Sequence, residues 1–100
     1  MYNTFILNYD PLMTDPTPVR LIEFIRSNGY TYQYFYPFAG TVVIKSLADL
    51  NQMTASYRPF FSPTKFLLTH VAPAHVGGLL EQERWDWINA ASPPPLLTHG

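Results

Sequence analysis

Apolar residues recur along this chain with two different periods. Over residues 4–10 the period is two, with Phe5, Leu7 and Tyr9 on one side and Ile6, Asn8 and Asp10 on the other. Both sides start apolar, which predicts a strand interior to a sheet, with Asp10 at its C-terminal end and Pro11 stopping it. After a proline-rich loop, Thr17 and Pro18 offer an N-cap and first-turn pair, with Asp15 before Pro16 as the competing start. Pro18, Leu21, Ile22 and Ile25 then follow helical spacing, and Asn28-Gly29 offers a left-handed stop. Period two returns over residues 30–38, where Tyr30, Tyr32, Tyr34 and Tyr36 alternate with Thr31, Gln33 and Phe35. Pro37-Phe38-Ala39-Gly40 turns the chain into the β-branched run over residues 41–45, completing an antiparallel hairpin. Ser46-Leu47-Ala48-Asp49 reads as a capping-box start for a second helix, with Leu47, Leu50, Met53 or Thr54, and Tyr57 inward and Pro59 ending it. Residues 65–71 form a fourth strand, and residues 79–90 a short helix with Trp85, Trp87 and Ile88.

The order is β-α-β-β-α-β, which predicts an α+β, ferredoxin-like antiparallel sheet with both helices on one face and a short helical segment behind. Residues 1–90 make the domain, and residues 91–100, with Pro93, Pro94 and Pro95 in succession, a proline-rich tail. One hundred residues suffice for one core. Charged residues make up only 13%, about half the usual share, so apolar surface is left for a partner and a homodimer is expected. Six basic and seven acidic residues give a formal charge of −1, which does not favour nucleic acid as a partner. The absence of cysteine removes disulfides, zinc-thiolate sites and thiol catalysis. With no charged-then-apolar leader and no apolar run of about 18 residues, the expected location is cytoplasmic, with no membrane span.

The opening Phe-Ile-Leu-Asn-Tyr-Asp and the closing Gly77-Gly78-Leu79-Leu80-Glu81-Gln82-Glu83-Arg84-Trp85-Asp86-Trp87-Ile88-Asn89, on this order of elements, resemble the small ferredoxin-like proteins related to the CRISPR adaptation endonuclease, especially the SinR-like branch. The resemblance covers nearly the whole chain through short motifs. It implies a homodimer with sheets facing each other. By position, Asp10 of each subunit would form a pair holding Mg²⁺ for phosphodiester cleavage. The chain departs from that pattern at Gly40-Thr41-Val42, where a Ser-Thr-Trp-like run is usual, and at Ser62-Pro63-Thr64-Lys65, where the loop is often acidic. The second departure removes acids that would support a metal.

The expected function is therefore a homodimeric interaction module with little or no catalysis. One alternative is a Mg²⁺-dependent endonuclease acting on RNA or DNA, with Asp10 as catalytic and metal-binding residue in both subunits. A second alternative is a small modulator that binds a toxin or defence protein. The simpler role for Asp10 is to accept N–H groups from the loop that follows it. The tyrosine ladder of Tyr30, Tyr32, Tyr34 and Tyr36 reads as an interface, since no basic residue between Arg26 and Lys45 would help it bind a nucleic-acid backbone. Trp85 and Trp87, two apart in a helix, point about 200° from each other. One is expected on the sheet and the other toward a partner or solvent.

Overall fold

The computed structural model describes residues 2–72 and 75–90. Its elements are β1 (Asn3–Tyr9), α1 (Pro18–Ser27), β2 (Gln33–Phe38), β3 (Thr41–Ser46), α2 (Leu50–Phe61), β4 (Phe66–Val71) and α3 (Gln82–Asn89). The strands form one antiparallel sheet in the order β2-β3-β1-β4, the arrangement of a ferredoxin-like α+β fold. The expected fold class is thus observed. The proline-rich tail lies outside the described residues.

Alternation in the strands divides the residues between two faces. Phe5 and Leu7 of β1, Val42 and Ile44 of β3 and Tyr34 of β2 meet Leu21 and Ile25 of α1 and Met53, Tyr57 and Phe61 of α2 in the larger core. Val43 and Phe35 face the other way and meet Trp87 and Ile88 of α3 in a smaller one. Neither face of the sheet centre is therefore open. The sheet-to-sheet pairing implied by the resemblance would have to use a face on which α3 already sits.

At the helix ends some local signals hold and others are overridden by tertiary contacts. Thr17 caps α1 as expected, its hydroxyl accepting the Arg20 N–H at 3.3 Å. The stop is not left-handed, because Asn28 takes an extended conformation (φ −73°). Its side chain does the work instead: Oδ1 accepts the Tyr30 N–H at 2.9 Å and Nδ2 donates to Ser56 Oγ of α2 at 2.7 Å. That turn holds Tyr30 and Thr31 out of the ladder, so β2 begins three residues later than its alternation suggests. The cap of α2 is Asp49 rather than Ser46. Asp49 Oδ1 accepts the Gln52 N–H at 2.8 Å while Gln52 Oε1 accepts the Asp49 N–H at 3.0 Å. Pro59 does not end α2, which runs on to Phe61. Aromatic stacking holds that last turn, with Phe60 on Phe24 at 4.3 Å and Phe61 on Phe66 at 4.6 Å between ring centroids. α3 starts three residues later than expected, after Gly78, whose φ of +149° favours glycine.

The two edges of the sheet differ. β2 carries Pro37, which cannot donate a ladder hydrogen bond, and its register with β3 is broken between Phe35 and Phe38. β4 pairs with β1 over six unbroken positions and contains neither proline nor a charged Lys, Arg, Asp or Glu. Among the described residues no strand pairs with its outer side. Leu67 in its middle is 68% exposed.

Candidate functional site

Asp10 emerges where β1 leaves the sheet. The preceding residue is held by the hairpin turn, since the Tyr9 N–H donates to the Gly40 carbonyl at 3.0 Å. Gly40 adopts φ +85°, and a Cβ there would lie 3.0 Å from the Tyr9 oxygen, so only glycine suits the position. Asp10 itself forms an Asx-type turn. Oδ1 accepts the Leu12 N–H at 2.9 Å and its carbonyl accepts the Met13 N–H at 3.1 Å. The simpler role expected of Asp10, capping the loop, is observed.

Beside it lies an open groove of about 630 Å³ between the end of β1 and the start of β4, lined by Asn8, Tyr9, Asp10, Thr64, Lys65 and Phe66 among others. Asn8, on the same side of β1 as Asp10, is engaged by the Thr41 hydroxyl, which donates to Asn8 Oδ1 at 3.1 Å. Burial pushes the Tyr9 phenol above its ordinary range, with a backbone group of Gly40 working against it. Among the described residues that line the groove, Asp10, at the end of β1, is the one carboxylate, and Lys65 stands before β4. Among the described residues no three His, Cys, Asp or Glu side chains gather as a metal site. Within one chain Asp10 would be the carboxylate for Mg²⁺, one of its oxygens already accepts a backbone N–H, and the remaining ligands would have to be water, phosphate or a second copy.

The tyrosines do not form one face. Tyr34 is buried in the larger core, and Tyr36 packs against that core with its ring edge-on to Tyr34 at 5.7 Å. Burial raises the Tyr36 phenol well above its ordinary range, with neighbouring Tyr34 adding to the effect. As a docking residue Tyr34 is corrected, because the strand's alternation turns it into the core, while Tyr36 is half-buried. Tyr30 and Tyr32 lie before the strand and escape that constraint. Tyr32 stacks on Tyr2 with ring centroids 4.0 Å apart and an interplanar angle of 11°. Around them a separate cleft of about 220 Å³ includes Tyr2, Tyr30, Tyr32 and Leu47.

The tryptophans differ in burial, although both pack on the smaller core, against the expectation that their spacing sends them to different sides. Trp87 is 2% exposed, edge-on to Phe35 at 5.1 Å, and is a core residue rather than a contact for a partner. Trp85 is half-buried at the border of the smaller core, beside an apolar groove of about 270 Å³ that also includes Phe38, Leu79 and Leu80.

Lys45 was not legible as a special residue. It is 1% exposed, beneath the end of α3. Its Nζ donates to Thr4 Oγ1 at 2.6 Å, to the Ile88 carbonyl at 2.7 Å and to the Ala90 carbonyl at 3.0 Å, and lies 5.6 Å from the Trp87 ring centre. The cation thus satisfies the carbonyl end of α3, where positive charge is favourable. Burial lowers its pKa from the ordinary lysine range. The available signal was a lone charge closing a β-branched run, two positions after Val43 and therefore on the same face.

Comparison with family models, with curated proteins and with solved structures gave no match. No helix among the described residues is long and apolar enough to cross a membrane.

Proposed function

We propose that the chain is an interaction module that pairs with a second copy of itself through the outer edge of β4. The observation that carries this is the contrast between the edges: β2 is blunted by a proline and a bulge, whereas β4 is regular, has no proline and no Lys, Arg, Asp or Glu, and exposes Leu67. A two-fold axis normal to the sheet at Leu68 or Thr69 would continue it into eight strands and bring like faces together. The low share of charged residues and the β-α-β-β-α-β order shared with the CRISPR-adaptation endonuclease family are in keeping with a homodimer. An edge of six residues is small for a specific interface. Sedimentation equilibrium over a concentration series should therefore show a dimer that dissociates on dilution. Leu67→Lys should return it to monomer with an unchanged circular dichroism spectrum. A monomer at every concentration, or a dimer indifferent to Leu67→Lys, would sink the proposal.

A second reading is Mg²⁺-dependent cleavage of RNA or DNA with Asp10 contributed by both subunits, and the exposure of Asp10 over its groove favours it. The two readings demand different dimers. Tyr9 pairs with Phe66, at one end of β4, so edge pairing would place the two Asp10 side chains at opposite ends of the joined strands. Six residues of strand span about 20 Å, too far for one shared ion. Cleavage that requires Mg²⁺ and is abolished by Asp10→Ala, with the fold intact, would replace the edge dimer with a different pairing.

A further inference from the structure

The apolar groove beside Trp85 has no residue of β4 in its lining, so what it binds is a separate matter from pairing at that edge. Alternation builds its floor. Ile6 of β1 and Val43 of β3 are cross-strand partners on the face that carries α3. Two positions along the same strands, Asn8 and Thr41 are partners, and Phe38 of β2 pairs with Thr41 in turn. Phe38, Thr41 and Asn8 thus form one row across three strands, next to the Phe35–Val43 patch on which Trp87 and Ile88 sit. Residues 76–80, the chain that leads into α3, supply the facing wall. There Leu80 packs on the smaller core and Leu79 is 97% exposed, while Phe38 across from it is 64% exposed.

The lining carries no charge, and its polar side chains are those of Asn8 and Thr41. The Thr41 hydroxyl donates to Asn8 Oδ1 at 3.1 Å, and among the described residues nothing accepts a hydrogen bond from Asn8 Nδ2. The amide is therefore held by its oxygen and offers its N–H groups. An ion entering this groove would give up water without meeting an opposite charge. A carbonyl oxygen, in contrast, would satisfy Nδ2 and leave the rest of its molecule to the apolar walls. Apolar walls with a few placed polar groups are the usual make-up of small-molecule sites. The volume of about 270 Å³ lies just under the range of about 300–1,000 Å³ for drug-sized ligands, so the occupant is small. A protein partner would need about 800 Å² from each side, which a groove of this size does not supply.

We propose that this groove binds a small, uncharged, mainly apolar molecule bearing a carbonyl oxygen, as a ketone, ester or amide does. The carbonyl accepts a hydrogen bond from Asn8 Nδ2, and the apolar part lies between Phe38 and Leu79 over Ile6 and Val43. Asn8 selects the acceptor, and the absence of charge in the lining selects against ions.

Heteronuclear NMR of the full-length chain titrated with benzylacetone, a neutral aryl ketone, tests this. The Asn8 side-chain amide and the backbone amides of Phe38, Thr41 and Leu79 should shift together, while those of Tyr30 and Leu47 at the tyrosine cleft stay in place. Hydrocinnamate has the same ring and chain length with a carboxylate in place of the ketone, and should bind at least about tenfold more weakly. Asn8→Asp keeps an acceptor for the Thr41 hydroxyl but removes the donor, so it should weaken ketone binding at least about fivefold with an unchanged circular dichroism spectrum. Phe38→Ala, at an exposed position outside both cores, should weaken it about threefold or more, and decides the matter should Asn8→Asp disturb the fold. Absence of shifts up to the solubility of the ketone, or shifts centred on Tyr30 and Leu47, would overturn the proposal. So would equal binding of hydrocinnamate, or ketone affinity untouched by a folded Asn8→Asp or by Phe38→Ala.

Discussion

The two faces of the sheet are covered by different means. On the helix face, α1 and α2 close over Phe5, Leu7, Leu21, Ile25, Met53, Tyr57 and Phe61, all fully buried, and both helices have side-chain N-caps. On the opposite face the cover is α3, eight residues long with no side-chain cap, resting on Trp87, Ile88 and one buried cation. Among the described residues, buried polar atoms without a hydrogen-bond partner occur on both faces: Gln33 Oε1, Arg84 Nη1 and Trp87 Nε1 here, and the Tyr36 and Tyr57 hydroxyls on the helix face. A large, well-capped apolar layer unfolds as a unit with the domain. A short helix held by a few anchors opens at a lower free energy, ahead of it.

Truncations test whether that difference is real, and the largest effect belongs to the helix face. Phe5→Ala should destabilise the whole domain by about 3–5 kcal/mol, with every probe of urea unfolding shifting together. Trp87→Ala removes a side chain at least as large, yet should cost less in the global transition. Hydrogen exchange should instead show amides of α3 losing protection while β1 and α2 keep theirs. Uniform loss across the chain would mean that the two faces form one cooperative unit. Lys45→Ala should cost about 1.5–3 kcal/mol, because the Ile88 and Ala90 carbonyls lose a charged donor. Lys45→Met should cost less, since it fills the volume without burying a charge.

Alkaline titration separates the faces by sign. Burial raises the Tyr57 phenol to about 12, with the nearby Thr31 hydroxyl working against the shift. Above pH 10 an unfolded tyrosine gives up its proton while folded Tyr57 keeps it, so stability present below pH 10 is lost as the pH rises toward 12. Tyr57→Phe should flatten that fall in the urea midpoint. Lys45 works in the opposite direction. Its folded pKa lies below 10.5, so its contribution grows as the pH rises from the lowered value to 10.5, and Lys45→Met should abolish that rise. The smallest expected effect is that of Asp49→Ala, about 1 kcal/mol from the α2 cap, read as a shift in the thermal midpoint.

Most of the architecture was legible because period-two and helical spacing act locally. Phe5 and Leu7 on one side of β1, and Leu21 and Ile25 along α1, are placed by those rules alone. The errors arose where a distant contact overrode a local signal. Pro59 stays inside α2 because Phe60 and Phe61 find rings on α1 and β4. Asn28 stops α1 through a side chain that reaches Ser56 rather than through a left-handed backbone. Asp10 was legible as a residue and as a turn-former, since an Asx turn needs only its next neighbours. Lys45 was not, because its role depends on α3 folding back across the sheet over an interval of more than forty residues. The tyrosine ladder was misread for the same reason: alternation gives the side of each ring, and only packing tells which side is already covered.

The contrast between the edges also sets a limit on assembly. A building block that can be extended at both ends polymerises; one with a single reactive end is a chain stopper. Pro37 and the break between Phe35 and Phe38 leave β2 unable to act as the second end. Under the proposed pairing through β4, each copy would use up its extensible edge, its valence would be one and growth would end at two. Restoring regular donors to β2, beginning with Pro37→Thr, is the change by which this chain would acquire a second valence and with it a route to filaments.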